Sequence, residues 1–272
     1  MQILTHDRLH RHAPAIFAQE PDNAVSERYG FVPTINVVDA LQAEGWYPVR
    51  AQQTNVRDMS RQTTARHMIR FRQEPDRQID LGDSVAELVL TNSHDRSAAY
   101  QLDLGLFRLI CSNGMVAPVS DMGGIRVRHG KHVVDEILEG SVALSHQVPR
   151  IAEGMEVFQS TMVHSGEARL FAEAALALRY GDDWQQHSPI RPDNVLQARR
   201  TEDAGGTLWQ VFGRTQENLF KGGVRGKSAS GRRTRTRAIN NVTEDVRLNR
   251  ALWTLTERFA ELKGATLPAF PE

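Results

Sequence analysis

A run of basic residues near the carboxyl end of the chain has the composition of a phosphate-binding segment. Residues 221–237 read KGGVRGKSASGRRTRTR, with seven lysines or arginines, four glycines and no acidic residue. Glycines let the backbone approach a ligand closely, hydroxyls donate to phosphate oxygens, and arginine forks bind them in pairs. The residues predicted to bind nucleic acid here are Lys221, Arg225, Lys227, Arg232, Arg233, Arg235 and Arg237. A solvated loop without a ligand is the alternative for this composition.

A second basic feature lies in predicted strands. Because strand side chains alternate between two faces, the three arginines of 66–72 are expected on one face, with Ile69 and Phe71 on the other. The arginines assigned to this positive sheet face are Arg66, Arg70, Arg72, Arg126 and Arg128. We expect the face and the basic segment to contact one strand of nucleic acid, and an ordinary solvated sheet face is the alternative.

Motifs for catalysis are absent, so the sequence does not support an enzyme. The chain has no GxSxG, HExxH, paired CxxC, GxGxxG or GxxxxGK[ST] fingerprint. Asp76 and Glu87 hint at a metal-dependent nuclease, but the lysine that such a site needs two residues after its acid is missing. His6 and His10 have the spacing of metal ligands on a helix, without a third ligand fixed by spacing. We therefore expect neither a metal nor a cofactor.

The composition is that of an ordinary globular protein. Its 272 residues include 33 basic and 33 acidic side chains and 40% hydrophobic residues, enough for a sizeable core without metals or cross-links. Cys111 is the single cysteine and cannot form an internal disulfide. With no signal peptide and no apolar run near the ~20 residues of a membrane span, the sequence predicts a cytoplasmic protein without membrane contact.

The elements that must position the basic residues change type near residue 130. A short helix is predicted within residues 5–18. Strand-like stretches follow at 46–56, 63–72, 86–91, 98–111 and 124–128, separated by turn-forming segments. After Gly130 the apolar residues recur with the 3.6-residue period of helices. The sequence thus predicts an α+β fold: a mostly antiparallel sheet in residues 1–130, preceded by a short helix, and a helical part in 131–272 that carries a basic loop at 221–237, together forming one integrated domain.

Several stretches resemble one protein family across nearly the whole chain. They are SERYGFVPT (26–34), QTNVRDMSR (53–61), TNSH (91–94), LFRLICSNG (106–114), ENLFKGG (217–223) and RLNRALW (247–253). These stretches are similar to the family known as domain of unknown function 932, whose members are encoded on plasmids and prophages. The resemblance implies a role in plasmid, phage or defence biology and supplies no catalytic residue.

The predicted order of a twisted antiparallel sheet and a long helix is also similar to that of the single-strand annealing recombinases of phages, which implies a homo-oligomeric ring. In that analogy Trp46, Tyr47 or Tyr100 could stack on bases, although a place in the core is favoured for each. The leading hypothesis is a non-catalytic mobile-element protein that binds nucleic acid, preferably single-stranded DNA. The alternative is a protein-interaction module acting on a host defence or replication factor, and a metal-dependent nuclease comes third.

Overall fold

A computed structural model describes residues 2–22, 30–79, 81–82, 84–95, 97–108, 114–116 and 124–268. The chain divides into two compact units, Met1–Val148 and Pro149–Glu272. A short helix precedes an antiparallel sheet in the first unit, and the second unit is mainly helical, which confirms the predicted α+β order. The division falls later than residue 130, so the first helix predicted after Gly130 belongs to the same unit as the sheet. The single integrated domain stays a prediction.

The first unit contains α1 (His6–His12), α2 (Thr34–Ala43), β1 (Trp46–Gln53), β2 (His67–Gln73), β3 (Ser84–Asn92), β4 (Tyr100–Arg108), β5 (Gly114–Val116), β6 (Ile125–Val127) and α3 (Val133–Ser145). Pro14 lies just beyond α1 and begins a short 3-10 turn, since proline cannot continue a helix at that point. Gly45 follows α2 with φ of 86°, a conformation that turns the chain directly into β1.

The strands pair antiparallel in the order β1-β2-β3-β4-β5, and β6 also pairs with β4. Ile69 lies opposite Leu90, and Leu88 lies opposite Leu104, so these side chains share one face of the sheet. All four are at most 1% exposed. Burial of each stabilises the fold by about 1.5–3 kcal/mol, and the same register places Arg70 and Glu87 on the opposite face.

The second unit contains α4 (Val148–Ser160), which begins at the division, and then α5 (Ser165–Tyr180), α6 (Trp184–His187), α7 (Pro192–Val195), α8 (Leu208–Lys221), β7 (Arg225–Lys227), β8 (Arg233–Arg235) and α9 (Val242–Leu262). Helix α9 buries Leu248, Leu252 and Trp253, and Asn241 caps its start by accepting from the Glu244 backbone N–H. None of the helices in the described ranges combines the length and the apolar character of a membrane span.

The basic segment forms a β-hairpin rather than the predicted loop. Arg225 in β7 lies opposite Arg235 in β8, and Lys227 lies opposite Arg233. The turn closes with a 2.8 Å hydrogen bond from the Ser228 N–H to the Arg232 carbonyl, and Gly231 within it has φ of 78°. The strand pairing therefore sets the relative positions of the backbone sites that carry these cations.

Glycine allows one face of the hairpin to lie directly on the neighbouring chain. A Cβ atom added to Gly226 would lie 2.0 Å from the Pro189 carbonyl oxygen and 2.9 Å from the Ile190 side chain. The same carbonyl accepts a 2.8 Å hydrogen bond from the Lys227 N–H. Only a residue without a side chain fits at this position, and the contact fixes which face of the hairpin turns outward.

We expect Gly226→Ala to dislodge the hairpin, because its methyl group would overlap the backbone at Pro189. Overpacking of this kind costs about 1–3 kcal/mol and exposes the segment to proteases. Trypsin should cleave between residues 225 and 237 at least tenfold faster in the variant, as followed by mass spectrometry. Gly166→Ala is the control, since a Cβ atom there has nothing within 4 Å; equal cleavage rates in the two variants would contradict the packing argument.

Candidate nucleic-acid interface

Four cations share one face of the hairpin. Backbone bonds at Val224/Thr236 and at the turn make 225/235 and 227/233 non-hydrogen-bonded pairs, in which opposite side chains are closest. Residues two apart on a strand share a face, so all four side chains project together. All four of these residues are exposed to solvent. We call this set, Arg225, Lys227, Arg233 and Arg235, the cation face.

The cation face has no internal counter-charge. In the part of the chain that the structure describes, none of its four side chains forms an ion pair with an aspartate or glutamate. The same holds there for Arg232 and Arg237, which are also exposed. Lys221 differs, because its Nζ lies 2.6 Å from the Glu217 carboxylate. Six of the seven predicted cations are therefore available to an anionic ligand.

A groove of about 1440 Å³ lies beside the hairpin. The four residues of the cation face belong to its lining. A second group of lining residues, which we call the far wall, consists of Gln185, Gln186, Arg191 and Asn194. Among the described residues that line the groove, none is acidic. The groove therefore offers hydrogen-bond donors and positive charge together, as an anion site requires.

A hydrogen-bond network around the buried Asn218 side chain holds the hairpin in place. Asn218 near the end of α8 donates to the carbonyls of Val195 and Gln197, at 2.8 and 2.7 Å. Arg199 donates to the Asn218 side chain and to the Gly222 carbonyl, both at 2.6 Å. These bonds tie the first residues of the hairpin to the segment that follows α7. Sequence reasoning missed this network, although Asn218 belongs to the stretch 217–223 that carries the family resemblance.

Two arginines of the predicted positive sheet face pair with a carboxylate inside the fold, and their role in binding stays a prediction. Arg70 is only 7% exposed, and its Nε lies 2.6 Å from Glu87 Oε2, while Arg72 Nε lies 3.0 Å from Glu87 Oε1. The Arg70 guanidinium also stacks 3.3 Å from the centre of the Phe107 ring. Burial lowers the pKa of Arg70, and the Glu87 carboxylate opposes that shift. The charges of Arg70 and Arg72 are neutralised within the fold, because the strand register brings Glu87 to the same face.

The remaining sheet arginines have different surroundings. Arg66 precedes β2, is half-buried and donates to the Ser97 carbonyl. Arg126 in β6 lies opposite Gln101 and is exposed, as is Arg128 just after that strand. Both exposed residues keep the exposure that their predicted role requires. The prediction that they and the hairpin contact one continuous strand of nucleic acid stays a prediction.

A buried polar cluster around Thr34 was not foreseen. Its Oγ1 lies 2.9 Å from His67 Nε2, 3.1 Å from His94 Nε2 and 3.2 Å from the Tyr100 hydroxyl, and it accepts from Asn92 Nδ2 at 3.1 Å. All five residues are at most 1% exposed, so Tyr100 has no face for a base to stack on. The stretches 26–34 and 91–94 of the family resemblance end on Thr34 and His94, which was the available signal.

The hydrogen bonds and lowered pKa values of His67 and His94 indicate that both histidines in the cluster are neutral. His67 Nδ1 lies 3.0 Å from the Ala65 carbonyl, which only accepts, so Nδ1 carries the proton and Nε2 accepts from Thr34. Burial lowers the pKa of His67 to about 4 and that of His94 to about 3. The cluster thus joins the start of α2 to the sheet through uncharged hydrogen bonds.

The residues considered for a metal site are not assembled into one. Within the described residues, no three histidine, cysteine, aspartate or glutamate side chains form a group that could hold a metal ion. Both oxygens of Glu87 are bound by arginines, and Asp76 is an exposed residue of a short turn. Cys111 lies outside the described residues.

Comparison with known proteins identifies the family. The model of "Domain of unknown function (DUF932)" matches residues 22–253, so the chain belongs to this family, and the resemblance seen in the sequence is confirmed. Two curated relatives are the UPF0380 proteins YfjQ and YafZ of Escherichia coli strain K12, each 41% identical over 254 residues, which is 93% of this chain and 90% of the relative. No solved structure matches the chain. The family description states no activity.

We expect Glu87→Gln to destabilise the first unit strongly. The variant keeps the shape of the side chain but leaves Arg70 and Arg72 without their carboxylate, and loss of one partner of a buried ion pair costs about 3–5 kcal/mol. Urea unfolding followed by circular dichroism measures the change. Glu74→Gln should cost less than about 1 kcal/mol, because that carboxylate is 37% exposed. A Glu87 variant as stable as the Glu74 control would show that the pairing contributes little.

Acid should destabilise the fold before most carboxylates titrate. His67 and His94 have lowered pKa values in the folded protein. Below pH 6.5 these two histidines are therefore protonated in the unfolded chain while they are still neutral in the folded one. Their stabilisation is complete above about pH 6.5 and is lost as the pH falls toward 4, by about 1.4 kcal/mol per pH unit for each histidine. Urea midpoints between pH 7 and 5 test this. His94→Gln should make the slope shallower, and His67 and His129, whose pKa burial also lowers, should account for the part that remains. An unchanged slope would remove His94 as a cause.

Proposed function

We propose that this protein binds nucleic acid through the basic hairpin, with single-stranded DNA as the preferred ligand and without chemistry of its own. The observation that carries the proposal is the cation face: four exposed cations in two facing pairs with no acidic partner among the described residues. Like charges directly opposite one another on a strand pair repel. Bound phosphates attract both cations of each pair, so binding of a polyanion offsets the repulsion that destabilises the free hairpin.

The size of the site favours a polymer over a small anion. The groove of about 1440 Å³ exceeds the roughly 300–1,000 Å³ of a typical small-molecule pocket. Arg232 and Arg237 lie outside the groove lining and extend the positive surface along the hairpin. A chain of phosphates can contact the groove and these outer cations at once, which a single anion cannot.

The docking of the hairpin favours a flexible strand over a duplex. A two-stranded ribbon reads duplex DNA by entering the major groove. Here the face that carries Gly226 packs on Pro189, and the far wall beside the ribbon restricts the space for a rigid duplex. A single strand can bend to follow the exposed face. The plasmid or prophage role implied by the family resemblance remains part of this proposal.

A protein partner is the second candidate. The chain has no net charge, with 33 basic and 33 acidic residues, whereas dedicated nucleic-acid binders are commonly basic overall. An acidic surface on a host defence or replication factor would satisfy the same cations. This candidate predicts saturable binding to one partner and no general affinity for nucleic acid.

Binding of a fluorescent thymidine 30-mer should depend steeply on salt. Four to six phosphate contacts give a log-log slope of roughly −3 to −4, at about −0.7 per contact. The combined change of Arg225, Lys227, Arg233 and Arg235 to Gln should abolish most of the slope, while the melting temperature holds or rises because repulsion is removed. Arg8→Gln with Arg258→Gln is the control at exposed positions outside the groove lining. A flat salt response in the parent would favour the protein partner.

A further inference from the structure

The far wall of the groove supplies donors that no prediction had assigned. This inference rests on the proposed function. Arg191 Nη1 donates to the Gln185 carbonyl at 3.0 Å, which holds the guanidinium in place and leaves its other N–H groups to a ligand. Asn194 Oδ1 accepts from the Arg191 backbone N–H at 2.9 Å, so the Asn194 amide nitrogen is left as a donor. The far wall therefore adds hydrogen-bond donors to the groove that the cation face also lines.

The far wall also carries side chains without partners. Gln185 and Gln186 are exposed, and their side-chain amides make no hydrogen bond to the described part of the chain. They lie on α6, whose apolar residue Trp184 is turned inward and only 8% exposed. The ring of Trp184 is thus unavailable to a base, while the amides beside it are available to a phosphate.

The side chains that line the groove determine which part of a nucleic acid it can bind. Within the described residues, the groove lining contains no aromatic side chain and no carboxylate. Bases are held in single-strand sites by stacking on aromatic rings, and carboxylates accept from the amino groups of bases. Arginine, lysine, amide and hydroxyl groups remain, and these bind phosphate oxygens. The same groups can contact base edges, but the lining offers no aromatic ring on which a base would be held in place for such a contact.

We propose that the groove lined by the cation face and by Arg191, Gln186 and Asn194 is a site for the phosphodiester backbone of a single strand, and that its affinity is independent of the bases. The two cation pairs are separated by two residues along the strands, about 6.6–6.8 Å, which is of the order of the distance between successive phosphates on one strand. One phosphate can therefore meet each pair.

The first test compares 30-mers of thymidine, of deoxyadenosine and of abasic deoxyribose phosphate by fluorescence anisotropy at low salt, with the full-length protein. The dissociation constants should agree within about threefold. Stacking of even one or two bases would separate the abasic strand by roughly tenfold or more. A protein that binds thymidine strands but binds the abasic strand tenfold more weakly overturns this inference and leaves the proposed function standing. Failure to bind any strand overturns both.

The second test addresses the far wall. Gln186→Glu keeps the size of the side chain and adds a negative charge beside the phosphates, so binding should weaken at least fivefold. Gln197→Glu makes the same change at an exposed position outside the groove lining and should change the affinity less than twofold. Arg191→Gln should make the salt slope shallower by about 0.7, which a purely structural role would not do. Parent-like affinity in Gln186→Glu, with circular dichroism confirming its fold, would overturn the assignment of this wall.

Discussion

The arrangement of the hairpin is constrained by repulsion between the four cations of its cation face, which other contacts must offset. In the non-hydrogen-bonded pairs 225/235 and 227/233, the Cα atoms are about 4.5 Å apart, and nearby exposed charges of one sign repel by about 1 kcal/mol or less in water. Other interactions must hold this arrangement together. The contact of Gly226 with Pro189 and the bonds of Arg199 to Asn218 and Gly222 do so with groups that need no ligand. The charge is thus pre-organised, and a ligand does not have to assemble it.

Arginine serves two opposite purposes in this chain. Arg70 and Arg72 share the carboxylate of Glu87, and the pairing is needed because an unpaired charge in a buried position is expensive. The hairpin arginines are exposed, so water and salt screen them and the fold tolerates them unpaired. Equal totals of acidic and basic residues conceal this difference. What matters for a polyanion is where a counter-charge is missing, and in the described residues the cation face is such a place.

Local patterns in the sequence identified helices and strands. Contacts between residues distant in sequence determine which side chains are paired and which stay exposed. Alternation in the stretch 66–72 correctly separated Arg70 from Ile69, because it depends only on strand geometry. It could not reveal Glu87, whose position beside Arg70 follows from the register of two strands. The hairpin escaped prediction for a similar reason: Arg-Gly-Lys and Arg-Thr-Arg have little strand preference, and a contact with Pro189, far away in the sequence, fixes them. Composition still located the cations.

The stretches that identify the family contain the groups that hold the fold. Thr34 and His94 meet in the buried cluster of the first unit, and Asn218 anchors the hairpin in the second. The cations from Arg225 to Arg237 lie beyond the stretch 217–223 and before 247–253. The family model spans residues 22–253 and so includes the hairpin, but the family description states no activity, so membership does not specify a ligand. The argument for nucleic acid has to come from the hairpin itself, where charge, exposure and donors coincide.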